Sequence, residues 1–506
     1  SRKKYGLVWE PKDEDVIVRC KEKFPILTEV ESKDIYTNSN DLNILIEGDN
    51  YHALSVLNYT HKGKIDLIYA DPPYNTGNKS WRYNNDYVEK DDAFRHSKWL
   101  SFMYRRISLA RNLLKDDGIF VLTIDDYELF TIGLLLDEVF GEDNKIGIVA
   151  IETNPRGRTT NTFFATSHEY ILFYAKNATK ASLDLKDLTD EQANAFNLED
   201  EISKYRLLPF RRSGGLSTRE ERPNSFYPIY FNPVTGEISI EKIKEGVEIL
   251  PIDTDGRERV WRQTRPSLMV AVKRGDIVIK SSGKKYTVLM KDRIKDGRKA
   301  KTIWVDPKYD ASSHGTVLIQ KMLEKRKVFD YPKSLYAVID TLNVLIKSKK
   351  QAIVLDFFAG SGTTGHAILE LNKSDEGSRK FILCTNNENK IAEEVCYQRI
   401  KKAIKGWNDK GEKISGLGGN LKYYKTDFID AEQTDKNKKK LVDKSTEMLC
   451  LKEDCFEELK KDKSFMVFTN TADKYMAVIY DEAGIEPFKT YLTKLNKKTM
   501  VYMFSL

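Results

Sequence analysis

Asp71-Pro72-Pro73-Tyr74 follows directly on the apolar run Ile65–Ala70, and its residue types suit a particular chemistry. The run reads as a strand. An acid at the C-terminal end of a strand in an open parallel sheet lies at the crevice where ligands bind. Two prolines fix the turn and remove two N–H donors, so the backbone carbonyls are expected to face outward as acceptors. The Asp71 carboxylate and the Pro72 carbonyl can each accept one N–H of an exocyclic amine, while Tyr74 can stack on the ring that bears it. The competing interpretation is a rigid surface turn with a capping Asp.

A second constellation is Asp356-Phe357-Phe358-Ala359-Gly360-Ser361-Gly362-Thr363-Thr364. Glycines between a strand and a helix let the backbone approach a bound cofactor closely. Gly360-x-Gly362-x-x-Gly365 also meets the dinucleotide fingerprint formally, so the loop alone does not separate a nicotinamide nucleotide from S-adenosylmethionine. A plain strand-to-helix turn competes with both. His52, His61, His96, His168, His314 and His366 show no metal-ligand spacing, so metal catalysis is not expected. His168, beside Tyr170 and Phe173, reads as part of a half-buried strand.

The elements that must position these residues form an α/β pattern. From Asn43 to Asn177, strands are expected at Asn43–Glu47, Ile65–Ala70, Gly118–Ile124 and Tyr170–Tyr174. Helices are expected at Asn50–Leu57, Ser97–Leu114 and Tyr127–Phe140, with Asp117-Gly118 and Gly141 as stops. The rhythm lapses over 178–327, where Gly and Pro turns mix with arginines and aromatics. It returns over 328–421 with strands Val354–Phe358 and Phe381–Cys384. A middle domain is therefore expected inside one sheet, flanked by an extension over 1–42 and a C-terminal α+β domain over 422–506. In that last part Asp435–Lys440 reads as a linker or exposed helix. Strands follow at Phe465–Phe468, Tyr475–Tyr480 and Val501–Phe504, with a helix at Pro487–Leu495.

Composition sets bounds. A length of 506 residues predicts two to four domains. With 40% apolar and 11% aromatic residues, wholesale disorder is excluded. Mean hydropathy is −0.52, and no apolar run approaches the ~18 residues of a membrane span. Ser1-Arg2-Lys3-Lys4-Tyr5 has no apolar stretch behind its charges, so no signal peptide is expected. With no Met at position 1 and an open apolar run at the other end, the native chain is expected to extend further. Cys20, Cys384, Cys396, Cys450 and Cys455 are few and unpaired in spacing, which fits a reducing cytoplasm. Net charge is +7. Residues 151–330 hold roughly 33 Lys and Arg against about 25 acids, so the middle of the chain carries the whole excess.

Asp-Pro-Pro-Tyr combined with a Phe-x-Gly-x-Gly loop resembles the amino-group DNA methyltransferases. The tetrapeptide precedes the loop with a basic insert between them, which is the permuted order of the β class. Glu47-Gly48-Asp49-Asn50, Ile68 to Gly77, Trp99 to Tyr104, Asp116-Asp117-Gly118, Thr123 to Asp126 and Phe329 to Ser334 extend the likeness toward the modification (Mod) subunit of type III restriction–modification systems. The likeness covers about Gly6 to Gly406 and is poor in the insert.

The resemblance implies a Rossmann-like methyltransferase sheet with an inserted target-recognition domain. It implies methyl transfer from S-adenosyl-L-methionine to adenine N6 in double-stranded DNA after base flipping. Asp71, Pro72, Pro73 and Tyr74 would be catalytic. Asp49, Asn50, Asp71, Lys333, Asp356, Phe358, Gly360, Gly362, Thr363 and Glu388 would hold the cofactor: Lys333 at its methionine end, Asp49 near its adenine, Glu388 at its ribose. Asp49 reads equally as a helix N-cap. Ser334 stands where many relatives have Pro. DNA contacts would come from Arg156, Arg158, Arg211, Arg212, Arg219, Arg222, Arg257, Arg259, Arg262 and Arg265, of which most would meet phosphates. A homodimer and a helicase-nuclease partner are further expectations. Rival readings are a cytosine-N4 methyltransferase, a nicotinamide-dependent oxidoreductase and a non-catalytic DNA-binding subunit.

Overall fold

Ile65–Ala70 is buried at all six positions, as a strand covered on both faces must be. It lies inside a ten-stranded sheet. The computed structural model describes residues 8–37, 42–76, 78–83, 86–89, 91–158, 163–283, 285–432, 434–470 and 472–504. Gly6, Gly77 and the N-terminal pentapeptide lie outside the described residues. The sheet strands are β1 (Lys23–Glu29), β2 (Leu42–Glu47), β3 (Ile65–Ala70), β4 (Leu114–Ile124) and β5 (Lys145–Glu152). They continue with β6 (His168–Ala175), β7 (Ile303–Trp304), β8 (Ile353–Asp356), β9 (Lys380–Thr385) and β10 (Asn420–Asp430). Their spatial order is β1-β10-β2-β9-β8-β3-β4-β6-β5-β7. The run from β10 to β4 is parallel, while β1 and β6 pair antiparallel at its two sides. The expected α/β class stands, with a mixed sheet at its centre.

Helices α1 (Asn50–Thr60), α2 (Arg95–Leu113), α3 (Leu129–Phe140), α4 (Leu335–Ile346), α5 (Thr363–Asp375) and α6 (Tyr397–Lys405) accompany the sheet. On α2, Trp99, Met103 and Ile107 recur at helical spacing and are fully buried in the main core. Each such side chain contributes about 1.5–3 kcal/mol on burial. Gly118 does not stop this helix, contrary to expectation. The helix ends at Leu113, and β4 begins at Leu114 and runs through the glycine. A Cβ at Gly118 would lie 2.9 Å from the Lys115 carbonyl oxygen and 3.0 Å from that of Ile65. The glycine is thus required by the close approach of β3 and β4, where their register shifts. The strand expected at Val354–Phe358 stops at Asp356, and the expected Asn50–Leu57 helix extends to Thr60.

The chain divides into two compact units, one of residues 1–184 with 301–506 and one of 185–300. The expected insert, 178–327, is therefore narrower, because β7 and the helix Leu318–Leu323 belong to the sheet unit. The boundaries at 42 and 421 shift as well. β1 lies in the expected extension, yet it pairs with β10, which crosses the expected start of the C-terminal domain. Lys422 and its acidic partners disguise this edge in the sequence. Lys422 is buried, bonded to Glu29 and 3.5 Å from Asp34.

Beyond β10, the helix Asp435–Glu453 leads to a four-stranded sheet, Glu457–Lys461, Phe465–Thr469, Tyr475–Ile479 and Thr499–Met503, with the helix Ile485–Leu495. The 185–300 unit has antiparallel four- and three-stranded sheets around Phe210, Tyr227, Trp261, Leu268 and Val288. Among the described residues, no helix is long and apolar enough to cross a membrane.

Candidate active site

β3 and β8 are neighbours, with Leu67 opposite Val354 and Ile68 opposite Leu355. This pairing delivers Asp71 and Asp356 to the same end of the sheet, although the chain between them includes the whole 185–300 unit. The Asp71 carboxylate is held through one oxygen. Its Oδ1 accepts from Thr123 Oγ1 at 2.6 Å, on β4, and lies 2.9 Å from Lys333 Nζ. Lys333 Nζ is also 3.1 Å from Glu169 Oε2 and donates to the Tyr74 hydroxyl. That hydroxyl donates in turn to Glu169 Oε2 at 3.1 Å, and the ammonium lies 4.5 Å from the Tyr74 ring centroid.

The turn is braced from below. Trp99 Nε1 donates to the Pro73 carbonyl at 2.8 Å, so this carbonyl points inward and not outward as expected. The indole N–H of a buried Trp needs an acceptor, and the proline turn supplies it. Asn75 then adopts φ +57°, a conformation Asn tolerates better than most residues. Its Nδ2 donates at 2.5 Å to Glu128 Oε1, which is 2.6 Å from His96 Nδ1; Thr131 Oγ1 donates to the other oxygen of this buried carboxylate.

Charge balance follows from burial. Desolvation pushes the Glu169 carboxyl up, but the Lys333 ammonium, with Arg158 and the Tyr74 hydroxyl, more than reverses this and leaves it below its ordinary value. Desolvation lowers Lys333, yet Asp71 and Glu169 raise it above the usual lysine value. Burial, with Asp71 and Glu169 alongside, holds the Tyr74 hydroxyl well above its usual range, so it is a neutral donor. Burial also lifts Asp125, just beyond β4, to about 6.

The glycine loop caps α5. Burial raises Asp356 to about 7, against the bonds it accepts from Thr364 Oγ1 at 2.6 Å and the Phe358 N–H at 2.9 Å. Gly360 has φ +46°, and a Cβ there would sit 2.9 Å from Phe329 Cζ. Gly362, at φ +76°, would meet Cys396 Sγ at 3.1 Å. Phe358 packs 5.9 Å from Phe102, ring to ring. Beneath the loop, fully buried Arg399 donates to Thr363 Oγ1 at 2.8 Å and Ser361 Oγ at 3.2 Å, and burial draws its guanidinium down to about 10.

Asp49 does cap α1, accepting from the Tyr51 N–H at 2.7 Å. Asn50 ties that cap to the glycine loop, donating to the Phe357 carbonyl at 3.1 Å while accepting from Arg106 Nε. Arg106 is buried and bonds Glu14 Oε2 at 2.8 Å. Glu388 opens the turn after β9, the strand beside β8. Beside it Asn387 donates to Glu47 Oε1 at 3.1 Å.

The candidate arginines separate. Arg158 belongs to the site, 3.9 Å from Glu169 Oε1 and 5.4 Å from the Tyr331 ring; Arg156 is exposed on the same turn. In the 185–300 unit Arg259 serves the fold, bonded to Asp253 at 2.8 Å and Ser217 at 3.1 Å. Arg219 pairs with Glu258 at 3.0 Å. Arg211 and Arg212 hold the Ile252 and Gly215 carbonyls, and Arg262 the Pro209 carbonyl at 2.8 Å. Arg222 is half-buried, whereas Arg257 and Arg265 are exposed. His168 Nε2 lies 2.9 Å from the Tyr170 hydroxyl. Sequence reasoning missed Glu169, Glu128, Arg106 and Arg399, as well as the Trp99 bond. An acid at the head of the apolar run Tyr170–Ala175 was the available signal for Glu169.

A family model described as DNA methylase matches residues 65–396, the span that holds both motifs. The chain belongs to this family. This methylase is 36% identical over 361 residues to the type II methyltransferase M.KpnI of Klebsiella pneumoniae, covering 69% of this chain and 82% of that relative. It is 34% identical over 383 residues to the EcoPI Mod subunit of Escherichia phage P1 and 30% over 405 to the StyLTI Mod subunit of Salmonella typhimurium. These matches cover 69% and 74% of this chain but 58% of each Mod subunit, under two thirds of their length. The solved M1.HpyAVI–SAM complex aligns over 71% of this chain and 97% of that one, at 14% identity and a TM-score of 0.33, and adds nothing to the assignment.

The methyl donor of the family is S-adenosyl-L-methionine. The residues present fit it. Gly360 and Gly362 hold the loop in backbone conformations that a Cβ would strain, at the end of β8 beside Asp71. Asp71 and Asp49, both partly exposed, stand at this same end of the sheet, each beside a basic side chain, Lys333 and Arg106.

Proposed function

We propose that this methyltransferase methylates adenine N6 in double-stranded DNA after the base has left the helix. The observation that carries the reading is the Asp71 carboxylate, fixed through Oδ1 by Thr123 and Lys333 beside the Tyr74 ring. S-adenosyl-L-methionine supplies an electrophilic methyl group when bound. Asp71 Oδ2 and the Pro72 carbonyl accept the two N–H groups of the amine and orient its lone pair toward the methyl. Tyr74 stacks on the base, and Pro73, pinned by Trp99, sets the turn. Such positioning is worth several powers of ten without a covalent intermediate. The proton leaves the amine after the methyl arrives, with Asp71 as acceptor. Asp356, Phe358, Gly360, Gly362, Thr363, Asp49, Asn50 and Glu388 form the donor's bed, with Lys333 at its border with the amine. A cavity of about 300 Å³, lined by Arg158, Glu169, Phe329, Tyr331 and Lys333, is of the size small-ligand pockets require and shares Lys333 with this carboxylate. It is our candidate for the extruded base.

Asp at the first tetrapeptide position favours adenine by the resemblance above. The deciding experiment incubates the protein with genomic DNA and labelled donor, digests the DNA and identifies the methylated nucleoside by mass spectrometry. N6-methyladenine is expected. N4-methylcytosine alone would overturn the base assignment, and no methylated base would overturn the reading.

We further propose that the 185–300 unit reads sequence, chiefly through Arg257, Arg265 and neighbouring arginines. Support comes from its own core and from the charge excess in this part of the chain. The relatives named as Mod subunits support a role as modification subunit; to this role we add, as part of the same proposal, self-association as a homodimer and a restriction partner docked on residues beyond 463. The five free cysteines support a cytoplasmic setting.

A further inference from the structure

Lys333 serves two carboxylates. Its contacts at 2.9 Å to Asp71 Oδ1 and 3.1 Å to Glu169 Oε2 put those oxygens within about 6 Å of each other, where like charges repel strongly. The Lys333 and Glu169 side chains are only 13% and 10% exposed, so solvent screens this little. Other groups face the trio from every side. Thr123 donates to Asp71 from β4, with Asp125 and Asp126 just beyond. Tyr74 donates to Glu169, Arg158 lies 3.9 Å from its other oxygen, and Tyr69 and Asp356 lie behind Asp71.

Each simpler arrangement would work against an amine acceptor. An ammonium bonded to Asp71 alone would draw its lone pairs down and make it a poor acceptor. Two carboxylates without the ammonium would repel each other, with Arg158 beside Glu169 as the remaining cation. Sharing one ammonium between two acids leaves Asp71 only partly neutralised and still accepting. We propose that Glu169 is a positioning residue for methyl transfer: it shares Lys333 with Asp71 and takes the Tyr74 hydroxyl, so that Asp71 meets the target amine as an acceptor through Oδ2. This rests on the reading above, in which Asp71 binds the amine.

The test is a mutant cycle, read as single-turnover methylation of DNA bearing the protein's own site against pH, with donor affinity by calorimetry. Glu169→Gln leaves Lys333 to Asp71 alone. The rate at neutral pH should fall roughly 10-fold and the acid limb should move to lower pH, with donor affinity within about twofold of wild type. Lys333→Met leaves two facing acids, and its acid limb should move up by about one pH unit or more. Combining both changes removes the repulsion, so the double variant's limb should return toward that of the wild type. A residue with a merely structural role would give losses that add and limbs that stay. A Glu169→Gln rate equal to wild type, or a double variant whose limb stays with that of Lys333→Met, overturns the proposal. If Lys333→Met does not fold, the limb of Glu169→Gln decides alone: a downward shift supports it and an unmoved limb overturns it. A wild-type protein that methylates no DNA would refute the reading beneath it instead.

Discussion

Replacing Asp71 by Asn changes one atom and should abolish most of the activity. The side chain keeps its shape, and Asn Oδ1 can still accept from Thr123 Oγ1, now 2.6 Å away, and from Lys333 at 2.9 Å. That choice turns the amide NH2 toward the target amine, setting donor against donor. Loss of one acceptor aimed at the reacting group costs about 10²- to 10³-fold in rate, or roughly 2.7–4 kcal/mol of transition-state stabilisation. Stability should change by less than about 1 kcal/mol, because Lys333 keeps Glu169 and the Asp71 side chain is 25% exposed, which screens the lost charge. The assay is single-turnover methyl transfer with enzyme in excess, beside calorimetric donor affinity and a thermal melt. A folded variant that retains more than about a tenth of the wild-type rate would refute the reasoning, since Asp71 would then not be the amine's acceptor.

Gly360→Val should weaken donor binding at least tenfold while DNA binding without donor is unchanged: a side chain at φ +46° is strained by about 1–2 kcal/mol and strikes the Phe329 ring. Equal calorimetric affinity in a folded variant would remove this loop from the donor site. Asp356, with a folded pKa raised to about 7, holds its proton more tightly in the native than in the unfolded chain, so its contribution to stability is present below about pH 4 and is lost as pH rises toward 7. Melting curves should therefore move in favour of Asp356→Asn, relative to wild type, across that window; a pH-independent difference would contradict the shift. Exchanging residues 185–300 for those of a relative should change which sequence is methylated and leave the modified base the same. A folded hybrid that methylates the original site places recognition elsewhere.

The parts of the site that are legible in the sequence are those built from contiguous residues. Ile65–Ala70 is readable to the residue because a run apolar at every position but Asp66 meets Pro72-Pro73, which no central strand can continue through. The glycine loop is equally plain. Helix ends are less legible: Gly118 looks like a stop because glycine in a sequence marks both chain reversal and close packing, and only the neighbouring strand tells them apart.

What the sequence by itself determined was thus the local chemistry: an amine-binding tetrapeptide, a cofactor loop, an α/β class and a basic middle segment. The tertiary structure alone decided which charges share a site. Glu128, Arg106, Arg399 and Lys422 are buried, yet in the sequence they resemble solvated surface. A charge can be buried only when a partner compensates it. Here most of those partners come from distant segments: Glu14 for Arg106, Glu29 for Lys422, and for Glu128 the side chains of Asn75 and His96. The same holds at the centre of the site. Asp71, Glu169 and Lys333 come from three separate stretches, and no spacing rule links them. They meet because β3 lies between β8 and β4, because β4 pairs with β6, whose second residue is Glu169, and because Lys333 reaches both carboxylates.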